Sequence, residues 1–173
     1  MKKIVQRTLC LLAVLGCGLG GCAGTLESKP AYVGRDVGAI TLLDLEGHPR
    51  NLSEFRGKTV LLDFWATWCA PCLSSLPIYD TWQAELAPRG LVILAVSVDD
   101  EDINIRNFVK KVATNLTILR DKGGRVAETF DLPTMPTAFL IGPDGRIRWR
   151  HEGFASHRMA GLKEKILHAL VGP

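Results

Sequence analysis

Thr59 to Trp65, TVLLDFW, is an apolar run with one aspartate inside it, and Cys69 and Cys72 follow it in ATWCAPC. A nearly continuous apolar run of this length suits a central strand covered on both faces. A second such run, LVILAVSV, spans Leu91 to Val98. Between them, Ala70 to about Ala87 has helix-forming composition and enough length for a right-handed crossover. The result is a βαβ unit with a cysteine pair at the turn from its first strand into its helix. This feature limits the fold more than any other.

The flanking segments extend the unit. ITLLDLEGHPRNL reads as two short strands around a turn at Glu46-Gly47, followed by a single helical turn capped by Ser53. Asp102 to Val112 reads as a helix, with Asp99, Asp100, Glu101 and Asp102 at its start and Lys110 and Lys111 at its end, as the helix dipole favours. LTIL at 116–119 is a short strand and GRVAETF at 124–130 a short helix. TAFLI and RIRWRH flank GPDG, a hairpin signal. Ser156 opens a last helix with Met159, Leu162, Ile166 and Leu170 on one face. The order is hairpin, βαβ, an inserted helix and strand, then ββα. It predicts one α/β domain over residues 38–173, with a central mixed sheet flanked by helices.

The first 21 residues read as a leader. Lys2, Lys3 and Arg7 precede the apolar stretch Thr8 to Leu19, which is short for a membrane span. The chain has 21 basic and 18 acidic residues, so removing those three leaves 18 of each and a neutral mature protein. Nucleic-acid binding needs a basic surplus and is not expected. Leu19 to Gly24, LGGCAG, resembles the lipobox of bacterial lipoproteins, which implies that Cys22 carries lipid and anchors the protein to a membrane. Residues 22–37 then read as a tether, with a reach of roughly 20 Å. Cys10 and Cys17 leave with the leader, so Cys69 and Cys72 are the remaining thiols, in a compartment where disulfides persist.

A disulfide spanning two intervening residues restricts the unfolded chain very little, so the pair is a poor staple. A metal site needs three or four ligands, and His48, His151, His157 and His168 read as scattered surface residues. No metal or other cofactor is expected. Redox chemistry fits better. Cys69 at a helix start faces unpaired N–H groups that favour a thiolate, and Pro71 in the first turn has no helical partner to lose. Cys72, one turn in, is expected to be more buried and to act second, resolving the mixed disulfide. Asp63, a carboxyl in an apolar strand, is expected to have a raised pKa and to accept the proton from Cys72.

LLDFWATWCAPC resembles the active-site strand and turn of thioredoxins. The stretch from about Val33 to Val171 resembles the extracytoplasmic TlpA/ResA-type branch of that family. The shared features are the N-terminal hairpin, the insertion after VSVD, and PTAFLIGPDGRI. The resemblance implies a thioredoxin-like fold and thiol-disulfide exchange with protein disulfides. It also implies that Trp68 flanks the first cysteine, that Pro77 bends the long helix, and that Met135-Pro136 in TMPT is a cis bond beside the substrate. Thioredoxins carry aspartate at the position of Asp63. Many TlpA-type relatives have asparagine there, and some place an acid where this chain has Ser75.

Ala70 adds no charge between the cysteines, so the expected direction is reduction, with electrons from a membrane donor. Relatives of this type act on apocytochrome c or on copper-centre assembly proteins. Ala23 after the lipid cysteine favours the outer membrane if the cell is Gram-negative. Oxidase or isomerase activity, a copper-binding module and a redox-silent module are the alternatives. A peroxiredoxin-like peroxidase is another, but Ala66 stands where such enzymes carry Thr or Ser. A monomer is expected.

Overall fold

The computed structural model describes residues 30–112 and 114–172, so the leader, Cys22 and residues 23–29 lie outside the described residues. In chain order the elements are strand β1 (Thr41–Asp44), β2 (Pro49–Asn51), β3 (Thr59–Trp65), helix α1 (Ala70–Leu86), β4 (Leu91–Ser97), α2 (Asp102–Val112), β5 (Thr117–Arg120), α3 (Arg125–Thr129), β6 (Thr137–Ile141), β7 (Ile147–Glu152) and α4 (Ser156–Val171). Tight helical turns cover Leu52–Phe55 and Ala87–Arg89.

The strands form one mixed sheet in the order β2-β1-β5-β4-β3-β6-β7. β3, β4 and β5 are parallel, and β1, β2, β6 and β7 join by antiparallel pairing. This is the α/β arrangement expected from the order of elements. The inserted strand β5 joins the N-terminal hairpin to the central βαβ unit. Arg120 on β5 reinforces that junction by donating from Nε to the Asp44 carbonyl (3.0 Å) and pairing with Asp102 of α2.

Side chains alternate across the sheet and build two cores. On one face Leu61, Trp65, Ile93, Ala95, Ala138 and Leu140 pack under α1, α2 and α4. On the other, Val60, Leu62, Phe64, Leu94, Val96 and Phe139 meet Phe130 and the N-terminal segment. Part of the stretch read as tether lies against this second face. The Tyr32 ring meets Phe139 edge-on at 6.1 Å, Val37 is buried, and the Gly34 N–H donates to the Ile147 carbonyl at 2.7 Å.

Two local features differ from the sequence reading, the cap of the turn at Leu52–Phe55 and the register of β7. The turn at Leu52–Phe55 is capped by Asn51 and not by Ser53, because the Asn51 side chain accepts from Ser53 N–H while Glu54 reaches back to the Asn51 N–H, a capping box. Helix α1 continues through Pro77, in agreement with that reading, and the proline's missing N–H leaves the Leu73 carbonyl without its usual helical donor. β7 shifts register by one residue: Leu140 pairs with Trp149 but Ile141 pairs with Ile147, so Arg148 is the extra residue of a bulge.

Candidate active site

The parallel strand β3 points its C-terminal end at the candidate site. After Trp65, the turn of Ala66, Thr67 and Trp68 delivers Cys69 as the N-cap of α1, in an extended conformation (φ −93°, ψ 93°). Cys69 Sγ accepts from the Cys72 N–H at 3.3 Å, one of the N–H groups that a helix start leaves unpaired. The two cysteines are joined as a disulfide with their Cα atoms 5.3 Å apart. Pro71 lies in the first turn of α1. Trp68 is 69% exposed, whereas Cys69 is 6% and Cys72 0% exposed. Cys69 is thus the less buried of the two residues, by a small margin. The Met135-Pro136 bond is cis, with Pro136 buried and Met135 packed against the same core as the dithiol.

The turn is braced by a residue that sequence reading assigned to the start of α2. Asp99 is buried and accepts from Thr67 N–H (2.9 Å), Thr67 Oγ1 (2.6 Å) and Ser97 Oγ (2.7 Å). Its carboxylate therefore holds the residue two before Cys69 to the end of β4. The acidic run was visible in the sequence, but its partner 32 residues earlier was not.

Asp63 is fully buried, and neither carboxylate oxygen has a hydrogen-bond partner. It faces the same core as Cys72 and Tyr79, between Ala95 on β4 and Ala138 on β6, neither of which carries a donor side chain. Burial pushes its pKa well above the ordinary carboxylate range. Tyr79 is also pushed well up, first by burial and then by the charge of Asp63. Ser75 is buried and its hydroxyl donates to the Cys72 carbonyl at 2.9 Å, so that position supplies no acid.

His151 differs from the surface residue expected. It is only 6% exposed, and its Nε2 has no partner. Burial and then the charge of Arg158 lower its pKa, with Glu152 opposing. His48, His157 and His168 are exposed, as expected. Among the described residues no cluster of three or more His, Cys, Asp or Glu could hold a metal ion.

These features define a class: dithiol oxidoreductases of thioredoxin-like fold. Comparison with known proteins narrows it. Residues 33–150 match the AhpC/TSA family. The thiol-disulfide oxidoreductase ResA of Bacillus thuringiensis is 36% identical over 152 residues, 85% of this chain and 87% of the relative. ResA of Bacillus subtilis is 33% identical over 149 residues, 84% and 83% of the two chains. A crystal structure assigned as the thiol:disulfide interchange protein DsbE of Chlorobium tepidum superimposes with a TM-score of 0.76 at 32% identity, covering 80% of this chain and 97% of that one. The exposed lipoprotein thioredoxin Etrx1 of Streptococcus pneumoniae gives a TM-score of 0.65 at 29% identity, covering 75% and 98%. The chain belongs to the AhpC/TSA family, among its TlpA/ResA-like thiol-disulfide oxidoreductases.

Asp63 also makes stability depend on pH. An aspartate with a raised folded-state pKa binds more protons folded than unfolded, so its contribution is full below the unfolded value of about 3.9 and declines as pH rises toward the folded value. Asp63→Asn keeps the shape and removes the ionisation. The variant is expected to melt higher than the parent at pH 7, with a gap that widens from pH 4 to pH 8. Calorimetry across that range tests this, and a gap independent of pH would show that Asp63 ionises at no special cost in the fold.

Proposed function

We propose that the protein is a membrane-anchored, extracytoplasmic oxidoreductase that reduces disulfides in partner proteins. The observation that carries the direction is the environment of the dithiol. Cys69 Sγ receives one hydrogen bond, from the Cys72 N–H, and Ala70 and Pro71 add no cation or donor. A weakly stabilised thiolate leaves the reduced form less favoured, which makes a stronger reductant.

In the proposed cycle the Cys69 thiolate attacks a substrate disulfide. One substrate sulfur bonds to Cys69 Sγ, and the other leaves as a thiolate and takes a proton from solvent. Cys72 then gives its thiol proton to the Asp63 carboxylate and attacks Cys69 Sγ, closing the internal disulfide and releasing the second substrate sulfur. Two electrons pass from the dithiol to the substrate, and a membrane donor restores them. A carboxylate in an apolar interior is a strong base, which suits Asp63 to this transfer. Exposed Trp68 and the Met135-Pro136 loop flank the dithiol and would bind the substrate chain. Cysteine pairs of apocytochrome c or of metalloprotein assembly factors are substrates of the fitting kind.

The anchor rests on LGGC at Leu19 to Cys22 and gains support from a structural relative that is itself an exposed lipoprotein. Among the described residues no helix is long and apolar enough to cross a membrane. Residues 1–21 would be the leader and Cys22 the start of the lipidated segment, the later part of which, from Tyr32 to Val37, packs on the catalytic domain. With Ala23 after the lipid cysteine, the outer membrane is the favoured site in a Gram-negative cell, where the short tether would not reach an inner-membrane donor and a different electron source would serve.

Three experiments test this reading. Equilibration with glutathione buffers is expected to give a potential nearer that of thioredoxin, about −270 mV, than that of a strong oxidant, about −120 mV. A value near the second would reverse the assigned direction. Cys72→Ser keeps the attacking thiolate but cannot resolve the mixed disulfide, so it should accumulate reductant-sensitive complexes with natural partners on non-reducing gels. Cys69→Ser should trap far fewer, and the opposite pattern would reverse the order of attack. Cys22→Ala should abolish lipid labelling and release the protein from membranes. Unchanged membrane attachment would refute the anchor.

A further inference from the structure

Asp63 and His151 occupy one rung of the sheet. Asp63 on β3 pairs with Ala138 on β6, and Ala138 pairs with His151 on β7. Directly opposed residues point to the same face, so the carboxyl and the imidazole stand on one side of the sheet, flanking Ala138. Two strand spacings put their backbones about 10 Å apart. The two Asp63 oxygens and His151 Nε2 are buried polar atoms without partners. Such groups are uncommon in folded proteins, and here three occur along one rung. His151 is 6% exposed and lies on an edge strand, whereas Asp63 is fully buried on a central one.

We infer that His151 is the outer member of a proton relay that connects Asp63 to solvent, with water carrying the proton between the two side chains. The inference rests on the proton-transfer role proposed for Asp63. When Cys72 must lose its proton, Asp63 has to be ionised, yet its rung neighbours Ala95 and Ala138 offer it no exchange partner. Neutral His151 accepts the Asp63 proton at Nε2 and passes a proton to solvent, so the carboxylate is restored with no net change at the imidazole. The charged and titratable groups around the pair are few. Asp63 faces Tyr79 and the dithiol from α1, whereas the residues of α4 buried in this core, Met159, Leu162 and Ile166, are apolar. His151 is influenced by Arg158 of α4 and by Glu152 on its own strand, and it stacks near Trp149 (5.6 Å), over which Lys165 lies. Arg158 also donates to the Glu152 carbonyl at 3.1 Å, which fixes its cation close to the imidazole and favours the neutral, proton-accepting form.

His151 in this role is a positioning residue that acts through Asp63. The test uses single-turnover reduction of insulin by the reduced protein, followed by tryptophan fluorescence between pH 5.5 and 8.5. The variants are His151→Gln, His151→Leu, Asp63→Asn and the double variant Asp63→Asn/His151→Gln. Gln keeps a polar group near the position of Nε2 but cannot shuttle a proton. His151→Gln is expected to slow resolution by Cys72 about tenfold at pH 7, below the range of about 10²–10⁴ usual for a direct acid or base. It should also remove one ionisation from the acid limb of the pH profile, and it should have no further effect in the Asp63→Asn background. His151→Leu should match it, which covers the case of one variant folding poorly. If Asp63→Asn slows resolution but both His151 variants keep the parental rate and pH profile, the relay is refuted while the role of Asp63 survives. If the His151 and Asp63 effects multiply in the double variant, His151 acts independently and the relay is again refuted. If Asp63→Asn itself changes nothing, the Asp63 role falls and the relay with it.

Discussion

Strand β3 is hydrogen-bonded along both edges, to β4 in parallel and to β6 in antiparallel register, and all seven of its residues are buried. Side chains alternate faces along a strand, so a slip of one residue would turn Asp63 from the core it shares with α1 to the opposite core and replace it with Leu62 or Phe64. Pairing on both edges makes such a slip costly. The same fixed strand sets where Trp65 ends and hence where Cys69 begins α1. The dithiol therefore owes its position to the best-anchored strand in the molecule, with Asp99 and Ser97 of the neighbouring strand end holding the turn between them.

Two buried aspartates near this turn show how environment separates chemistry. Asp99 is surrounded by donors and acts as a brace, with hydrogen bonds to Thr67 and Ser97. Asp63 has none, and a buried polar group without a partner costs about 1–3 kcal/mol, more when charged. A leucine would relieve that cost, and an asparagine the part of it that comes from charge. An isolated carboxyl facing the core that contains Cys72 is the arrangement expected where proton affinity matters more than stability.

Much of this was legible in the sequence. The apolar runs of β3 and β4 suit buried parallel strands because a strand covered on both faces needs no polar side, and both runs are of strand length. α1 and α2 carry their own boundary signals, and α2 falls at Asp102–Val112 as read. The Cys-X-X-Cys pair and Asp63 were legible because each is anomalous where it stands. What escaped depends on contacts between distant segments. β5 lies between the hairpin and β4, a choice made by packing and not by local pattern. Asn51 and Ser53 are both good caps, and Glu54 decides between them. Asp99 resembles any acid at a helix start until Thr67 is brought to it.

His151 escaped for a reason that bears on function. In RIRWRH a strict two-residue period puts Ile147, Trp149 and His151 on one face. The structure divides them: Ile147 packs into the core with Phe64 and Phe139, whereas Trp149 packs against the core that contains Cys72. The bulge at Arg148 makes the division, because an inserted residue reverses the faces of everything after it. Arg150 accordingly lies over the Tyr32 ring (4.6 Å) on the second face, and His151 is left on the face of Asp63. The strand that carries His151 is also tied to the cis-proline loop, since the Gly153 N–H donates to the Pro136 carbonyl at 2.7 Å. One bulge at the sheet edge thus aligns a titratable side chain with the central carboxyl. The hydrogen bond just beyond it fixes that alignment to the loop proposed to hold the substrate, so in this reading substrate docking and the exit of the proton depend on the same strand.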